Sequence, residues 1–258
     1  MRQSLAFRGR ILYNGIMYDL IELLASFLAV VVVLTLHEFA HAFVAYKCGD
    51  PTPKYTGRLS LNPLRHFDLV GLICFTLVGF GWAKPVQVNP GNFKNYRLGM
   101  GLTACAGVLA NFLSAFLFLP LYFLCALYLE GTLFAAFMQL LTLYLFSYSL
   151  SFCVFNLLPF FPLDGFRIVE ACSKRHGKIY EFLRRYGYYI LMFLILESFI
   201  CNLFVNFGVT QMSAFNLLGY FMSFATGIVG FPAYAMWGPA FGIPLETLWN
   251  MFIGGLFF

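Results

Sequence analysis

A long apolar run near the start of the chain constrains the fold more than any other feature. Residues 21–46 are almost entirely apolar, and the run exceeds the roughly 20 residues that an α-helix needs to cross a bilayer. The rest of the sequence has the same character, because 61% of its residues are hydrophobic and 10% are charged, whereas soluble proteins carry about 25% charged residues. The sequence therefore predicts a polytopic membrane protein, with residues 1–258 in a single membrane domain.

Further apolar runs predict additional transmembrane helices. Three of them cover residues 98–129, 133–158 and 186–207. Two more, 215–229 and 245–258, are marginal in length and are separated by a Gly-, Pro- and Trp-rich stretch that reads as a loop. The predicted fold is thus all-α with about four to six transmembrane helices. Its core spans about residues 20–207, and a C-terminal membrane tail spans about 208–258.

The connection after the first span contains an apolar stretch, residues 69–82, that is too short to cross the membrane. Residues 69–82 are interrupted by three glycines, so a re-entrant dip or a membrane-embedded hairpin is predicted rather than a full crossing. Residues 86–88 alternate between apolar and polar side chains, which is typical of a strand.

Basic residues predict the orientation. They concentrate in the segments 47–97 and 167–185, whereas the turn at 129–132 carries only an acidic residue. The positive-inside rule therefore places both basic segments in the cytoplasm, with the protein in the plasma or inner membrane. The arginines at the extreme N-terminus favour the opposite orientation.

Composition also excludes some classes of function. The net charge is +5, but no basic face interleaved with aromatic side chains accompanies it, so no nucleic-acid partner is expected. The seven cysteines occur singly, without a C-x-x-C motif, so neither a disulfide nor a cysteine metal site is predicted.

The first span carries the motif HEFAH at residues 37–41. On a helix, His37 and His41 lie about 40° apart and roughly 6 Å along the axis, so both imidazoles can reach one metal ion. Glu38 projects about 100° away from His37 and can approach a water on that metal. This pattern is typical of zinc hydrolases. Histidines that merely hydrogen-bond to neighbours are the alternative, which the cost of ionisable groups in a membrane disfavours.

A hydrolytic zinc site needs a third protein ligand. His66 and His176 remain, but two acids in apolar surroundings are stronger candidates. Asp164 ends a proline-interrupted apolar run whose broken helix can direct a carboxylate at a neighbour, and capping the next helix is its alternative role. Glu197 lies in the fourth span, where nothing disrupts the helix.

Four motifs together resemble the site-2 protease family of intramembrane zinc metalloproteases. In chain order they are HEFAH at 37–41, GWAKPVQVNP at 81–90, AGVLANFLSA at 106–115 and FNLLPFFPLDG at 155–165. The likeness is to the short bacterial and archaeal members without a PDZ domain. It implies that His37, His41 and Asp164 bind one zinc ion and that Glu38 is the catalytic base. Val108 departs from the family, which usually has proline there.

The resemblance also implies a substrate-binding region. It identifies residues 69–88 with the membrane-embedded β-hairpin of the family. An extended edge at 85–88 can hold an unwound substrate by β-augmentation, and an ordinary interfacial loop is the alternative. Two asparagines in apolar runs are candidates for contact with the substrate or the oxyanion, with helix packing as their alternative. The residues predicted to contact substrate are therefore Pro85, Val86, Gln87, Val88, Asn111 and Asn156.

The function predicted from these features is hydrolysis of peptide bonds in or near transmembrane segments, with membrane proteins as substrates and the lipid bilayer as the environment. A membrane metal transporter or metal-binding protein that uses the same His and Asp side chains is the alternative. A non-catalytic scaffold is a third possibility that the complete motif disfavours. The site is expected nearer the cytoplasmic side, because HEFAH lies in the last third of an inward-running span.

Overall fold

The computed structural model describes residues 15–68, 70–71, 73–74, 84–173 and 177–244. Seven α-helices have defined bounds within these ranges. They are α1 Gly15–Lys47, α2 Thr52–Tyr55, α3 Tyr96–Tyr128, α4 Leu133–Leu157, α5 Asp164–Cys172, α6 Lys178–Asn206 and α7 Leu217–Ala240. Short 3₁₀ helices occur at Pro63–Arg65, Pro90–Asn92 and Thr210–Phe215.

Five helices, α1, α3, α4, α6 and α7, are long and apolar enough to cross a membrane. The prediction of an all-α polytopic membrane protein is therefore confirmed. The predicted bounds of α3 and α4 agree with the structure to within two residues, whereas α1 begins at Gly15, six residues before its predicted start. Side-chain caps stand at the starts of α3 and α4. The Asn95 side chain accepts from the amide of Leu98 at the start of α3, and Thr132 accepts from Ala135 at the start of α4.

The helices of the C-terminal half are longer than the hydrophobic runs that predicted them. α6 begins at Lys178 rather than at residue 186, because lysine, arginine and glutamate are good helix formers and extend the helix beyond its apolar part. The predicted loop after residue 229 is wrong, since α7 continues through Pro232 and Pro239 to Ala240. Neighbouring helices in a bundle can satisfy the backbone groups that proline frees, so a proline in a transmembrane helix need not end it.

Helix α7 packs on the core. The indole of Trp237 donates to the carbonyl oxygen of Phe116 over 3.0 Å. Tyr234 meets the ring of Phe146 edge to face at 5.3 Å. These rings share one hydrophobic cluster with Leu119 of α3 and Leu150 of α4. Packing thus joins the predicted tail to α3 and α4, although the predicted division into a core and a tail stays a prediction.

The segment before α3 is extended without belonging to a sheet. Val86 is buried and Gln87 is exposed, which is the predicted alternation. No strand occurs in the described residues, however, so the strand predicted at 86–88 is absent from them. Most of the dip or hairpin predicted over 69–82 lies outside the described residues, as does the marginal span at 245–258.

Candidate metal centre

Two histidines on α1 face each other inside the helix bundle. His37 and His41 are 4% and 5% exposed. Their Nε2 atoms lie 3.0 Å apart, and their rings meet edge to face with centroids at 4.5 Å. Burial of two imidazoles with both Nε2 atoms directed at one point requires partners that satisfy them.

Asp164 reaches the same point from another part of the chain. Its Oδ2 lies 3.2 Å from Nε2 of His37 and 3.0 Å from Nε2 of His41. Asp164 is the first residue of α5, and Leu163 occupies the N-cap position without a side-chain cap. The alternative role of Asp164 as an N-cap is therefore not realised. Gly165 allows this approach, because a Cβ there would overlap the carbonyl oxygens of Leu157 and Leu158 at the end of α4.

The geometry of these three side chains fits one zinc ion. One ligand atom from each of His37, His41 and Asp164 can be chosen so that all lie within 4.8 Å of one another. The separations of 3.0–3.2 Å approach the ~3.3 Å between ligand atoms of a tetrahedral zinc site with bonds near 2.0–2.1 Å. Oδ2 of Asp164 is also buried without a hydrogen bond. A cation between the three atoms satisfies that oxygen, which would otherwise be costly to bury.

Two residues of helix α3 contact the Nδ1 atoms of the two imidazoles, on the side away from Asp164. Nδ1 of His41 lies 2.7 Å from the carbonyl oxygen of Thr103, so Nδ1 carries the proton and Nε2 presents its lone pair. Nδ1 of His37 lies 3.1 Å from the side-chain amide of Asn111. Partners of this kind fix the tautomer and the ring orientation of metal-binding histidines.

Gly107 permits this close approach of α3 to α1. A Cβ at this position would overlap Nε2 of His41 and lie 2.6 Å from Cε1 of His37. Gly107 was not among the residues predicted for the site. Its spacing of four residues from Asn111, on the same face of α3, was the available signal.

Glu38 borders a cavity of about 120 Å³ beside the three side chains. Its Oε2 accepts a hydrogen bond of 3.1 Å from the backbone amide of Val86. Of the residues predicted to contact substrate, the cavity is lined by Pro85, Val86, Val88 and Asn156. Arg167 also lines the cavity. It was not predicted as a site residue, because in the sequence it is one of several basic residues in the segment 167–185.

Two of the predicted substrate contacts lie elsewhere. The side chain of Gln87 is exposed and does not line the cavity, because alternate residues of an extended chain point in opposite directions. Asn111 is fully buried and stands behind His37. The structure therefore places Asn111 as a partner of a histidine rather than in contact with the cavity.

The extended segment 84–89 is attached at both ends. The amide of Lys84 donates to the carbonyl oxygen of His66 over 2.9 Å, and Arg58 donates to the carbonyl oxygen of Lys84 over 3.2 Å. At the other end, the amide of Asn89 donates to Oδ2 of Asp50 over 2.7 Å. These contacts hold Val86 beside Glu38.

The remaining candidate ligands do not join the cluster. Nε2 of His66 lies 2.7 Å from the carbonyl oxygen of Ser60, away from the two α1 histidines. Oε1 of Glu197 accepts from the amide of Leu217 over 3.1 Å, at the start of α7. Among the described residues the metal-binding group contains neither of them. His176 lies outside the described residues.

The fold and the site together define a class of protein. Two buried histidines from a helix long enough to cross a membrane, an aspartate from a second helix and a glutamate beside them form the side-chain set of zinc-dependent hydrolases. The protein therefore belongs to the class of polytopic helical membrane proteins that carry the side chains of a zinc-hydrolase site.

Comparison with known proteins identifies the family. The model of peptidase family M50 matches residues 126–197, which include Asp164 but not the HEFAH motif. "Putative zinc metalloprotease YwhC" of Bacillus subtilis is 43% identical over 148 residues, covering 55% of this chain and 66% of that protein. "Putative zinc metalloprotease Rip2" of Mycolicibacterium smegmatis is 28% identical over 177 residues, covering 63% of each.

The chain thus carries a peptidase family M50 (site-2 protease) domain match over residues 126–197, as its motifs suggested, and is homologous to two putative zinc metalloproteases. The matched region spans just under two thirds of the length of either relative. No solved structure matches the chain significantly.

Proposed function

We propose that this protein is an intramembrane zinc metalloprotease that hydrolyses peptide bonds in or near the transmembrane segments of other membrane proteins. The observation that carries the proposal is the meeting of His37, His41 and Asp164 within 3.2 Å of one another, with Glu38 beside the same cavity. The match to family M50 and the similarity to two proteins named putative zinc metalloproteases support it.

One zinc ion per chain is held by His37, His41 and Asp164 in this proposal. When bound, zinc polarises a peptide carbonyl and lowers the pKa of a coordinated water. Thr103 and Asn111 keep the two imidazole rings turned toward the ion. These side chains would supply the three protein ligands that a hydrolytic zinc site needs.

Glu38 acts as the general base. It takes a proton from the attacking water and passes it to the nitrogen of the leaving amine. The Val86 amide engages Oε2, whereas Oε1 makes no hydrogen bond to the described residues. The base is thereby oriented through one oxygen and keeps the other available for the proton.

The segment 84–89 binds the substrate. A transmembrane substrate must be locally unwound to expose a carbonyl group, and an extended partner can hold it by β-augmentation. Pro85, Val86 and Val88 line the cavity on this side, and Asn156 lines it from the end of α4. Asn156 is positioned as a contact for the substrate or the oxyanion, while its own amide donates to the carbonyl oxygen of Phe152 over 3.0 Å.

The cellular setting follows the charge pattern. The basic segments 47–97 and 167–185 contain the cavity-lining residues Pro85, Val86, Val88 and Arg167, which supports a site nearer the cytoplasmic side of a plasma or inner membrane. Membrane proteins of the same bilayer are then the substrates. The predicted single membrane domain, with its core and tail, belongs to the same proposal.

The substitution Glu38→Gln tests the function against the transport alternative. The purified full-length variant is expected to keep one zinc per chain and to cleave a transmembrane substrate in proteoliposomes at least about 100-fold more slowly, since general-base catalysis contributes 10²–10⁴-fold. Wild-type protein treated with a chelator is the control. Zinc flux in the variant at the wild-type rate, with no cleavage by either protein, would instead establish a transporter.

A further inference from the structure

Arg167 lines the cavity and is positively charged, but it has no role in the proposed mechanism. It lies on α5, three residues after Asp164, so the two side chains project from nearly the same side of the helix. It lines the same cavity as Glu38 and Asp164 and is half-buried there.

The guanidinium of Arg167 has no partner among the described residues. Asp164 directs its oxygen at the two imidazoles, and Glu38 accepts from the Val86 amide. Neither carboxylate forms an ion pair with Arg167. A guanidinium carries five N–H donors and stays charged at any pH the protein meets. A half-buried group of this kind is suited to a ligand that enters the cavity.

The position of Arg167 favours a ligand group that lies next to the scissile peptide bond. A guanidinium that contacted the scissile carbonyl would also lie close to Glu38 or Asp164, and it would pair with one of them. No such pair is present among the described residues, which favours a ligand group beside the scissile bond rather than its carbonyl. The segment opposite, with Val86 and Val88, contributes apolar side chains to the lining. Among the described residues that line the cavity, Arg167 is the one with a permanent positive charge.

We propose that Arg167 forms a carboxylate-binding subsite for the substrate chain, next to the scissile peptide bond. The planar guanidinium matches a carboxylate with two parallel hydrogen bonds. The inference rests on the proposed function. The carboxylate has two sources of identical chemistry: an acidic side chain beside the bond, or the α-carboxylate that hydrolysis creates. The first makes Arg167 a specificity-determining residue, and the second makes it a product-binding one.

Binding to a non-cleaving form of the full-length protein separates the two sources. The first probes are single-span peptides with a central Gly-Ser segment that contains the target bond. One Glu is placed in turn at each of three positions on either side of that bond. Each Glu peptide is matched by a peptide with Gln at the same position. The second pair of probes is the N-terminal half of the Gln peptide with a free C-terminal carboxylate or with a C-terminal amide. Affinities are measured for the Glu38→Gln protein, with and without the further change Arg167→Gln.

If the ligand is an acidic side chain, the Glu peptide at one position should bind the Glu38→Gln protein at least about tenfold more tightly than the matched Gln peptide. A product carboxylate predicts the same ratio for the acid and amide fragments. In either case Arg167→Gln abolishes the ratio, Arg167→Lys retains part of it, and the control Arg185→Gln, at an exposed position on α6, leaves it unchanged.

Equal affinities within both pairs, or a ratio that survives Arg167→Gln, would overturn the subsite. Cleavage of the Gln peptides by wild-type protein is measured in parallel. A failure of cleavage rejects the proposed function, whereas the binding ratios decide the role of Arg167 separately.

Discussion

The backbone amide of Val86 donates a hydrogen bond to Oε2 of Glu38 across 3.1 Å. This contact links the extended segment 84–89 to the motif on α1, 48 residues earlier in the chain. An amide donor of this kind limits the rotation of the carboxylate. The segment that we propose to bind the substrate therefore also orients the proposed base.

The change Val86→Pro removes this donor while keeping an extended backbone. We expect zinc content to be unchanged and kcat to fall by roughly 10- to 100-fold, the effect of losing a hydrogen bond to a charged group. The control Val86→Ala keeps the amide and loses only side-chain packing, so its kcat should remain closer to that of the wild type. Equal kcat values for the two variants would show that the amide has no such role.

Asn111 is expected to act through the orientation of His37. When Nε2 of His37 faces a metal, Nδ1 carries the proton and needs an acceptor. The side-chain oxygen of Asn111 is buried without a hydrogen bond, and a half-turn of the amide brings it to Nδ1. Asn111→Ala should weaken zinc binding by about 10- to 100-fold, measured by chelator competition, and Asn111→Asp should retain more of the affinity. Unchanged affinity in Asn111→Ala would contradict this role.

Gly107→Ala should prevent zinc binding, because the new methyl group would occupy the space at Nε2 of His41. Gly101→Ala on the same helix is the matched control, since its Cβ would meet Ala171 at an ordinary 3.4 Å. Metal analysis of both purified variants measures the difference. Full zinc occupancy in Gly107→Ala would show that α3 need not approach the imidazoles so closely.

Alanine substitutions of Asp164 and of Glu197 should differ in their effects on zinc content and thermal stability. Asp164→Ala removes a proposed ligand and should lose stoichiometric zinc. Glu197→Ala should keep zinc, but it removes the acceptor of the Leu217 amide at the start of α7, so its thermal unfolding midpoint in detergent should fall. Zinc retained in the first variant and lost in the second would reverse the assignment of the third ligand.

Asp50 should stabilise the protein in a pH-dependent way. Burial favours a higher pKa, but hydrogen bonds from Asn92, Thr52 and Asn89 outweigh it and hold the pKa of Asp50 below its ordinary value of 3.8. A depressed pKa gives stability that is present above pH 3.8 and is lost as the pH falls through the folded-state pKa.

The change Asp50→Asn should therefore lower the free energy of unfolding at pH 7 by roughly 1–3 kcal/mol, and the difference from wild type should shrink as the pH falls below 3.8. Unfolding midpoints across this pH range measure it, with the exposed Asp19→Asn as the control. A difference that does not change with pH would rule out the carboxylate as the cause.

Long hydrophobic runs were sufficient to predict α1, α3 and α4, because burial in lipid requires about 20 apolar residues in any such helix. Prolines misled the prediction of α7. Their cost depends on whether neighbouring helices satisfy the freed backbone groups, and contacts such as that of Trp237 with Phe116 are not visible in a local pattern.

The sequence by itself determined that this chain is a helical membrane protein and that two histidines and a glutamate share one turn of α1, since composition and helical spacing are local properties. Only the tertiary structure decided which distant residues meet there. Asp164 approaches across a broken helix, Gly107 leaves room for both rings, and Asn111 faces His37 rather than the cavity. Those relationships depend on how α1, α3 and α5 pack, and packing between segments far apart in the chain has no periodic signature in the sequence.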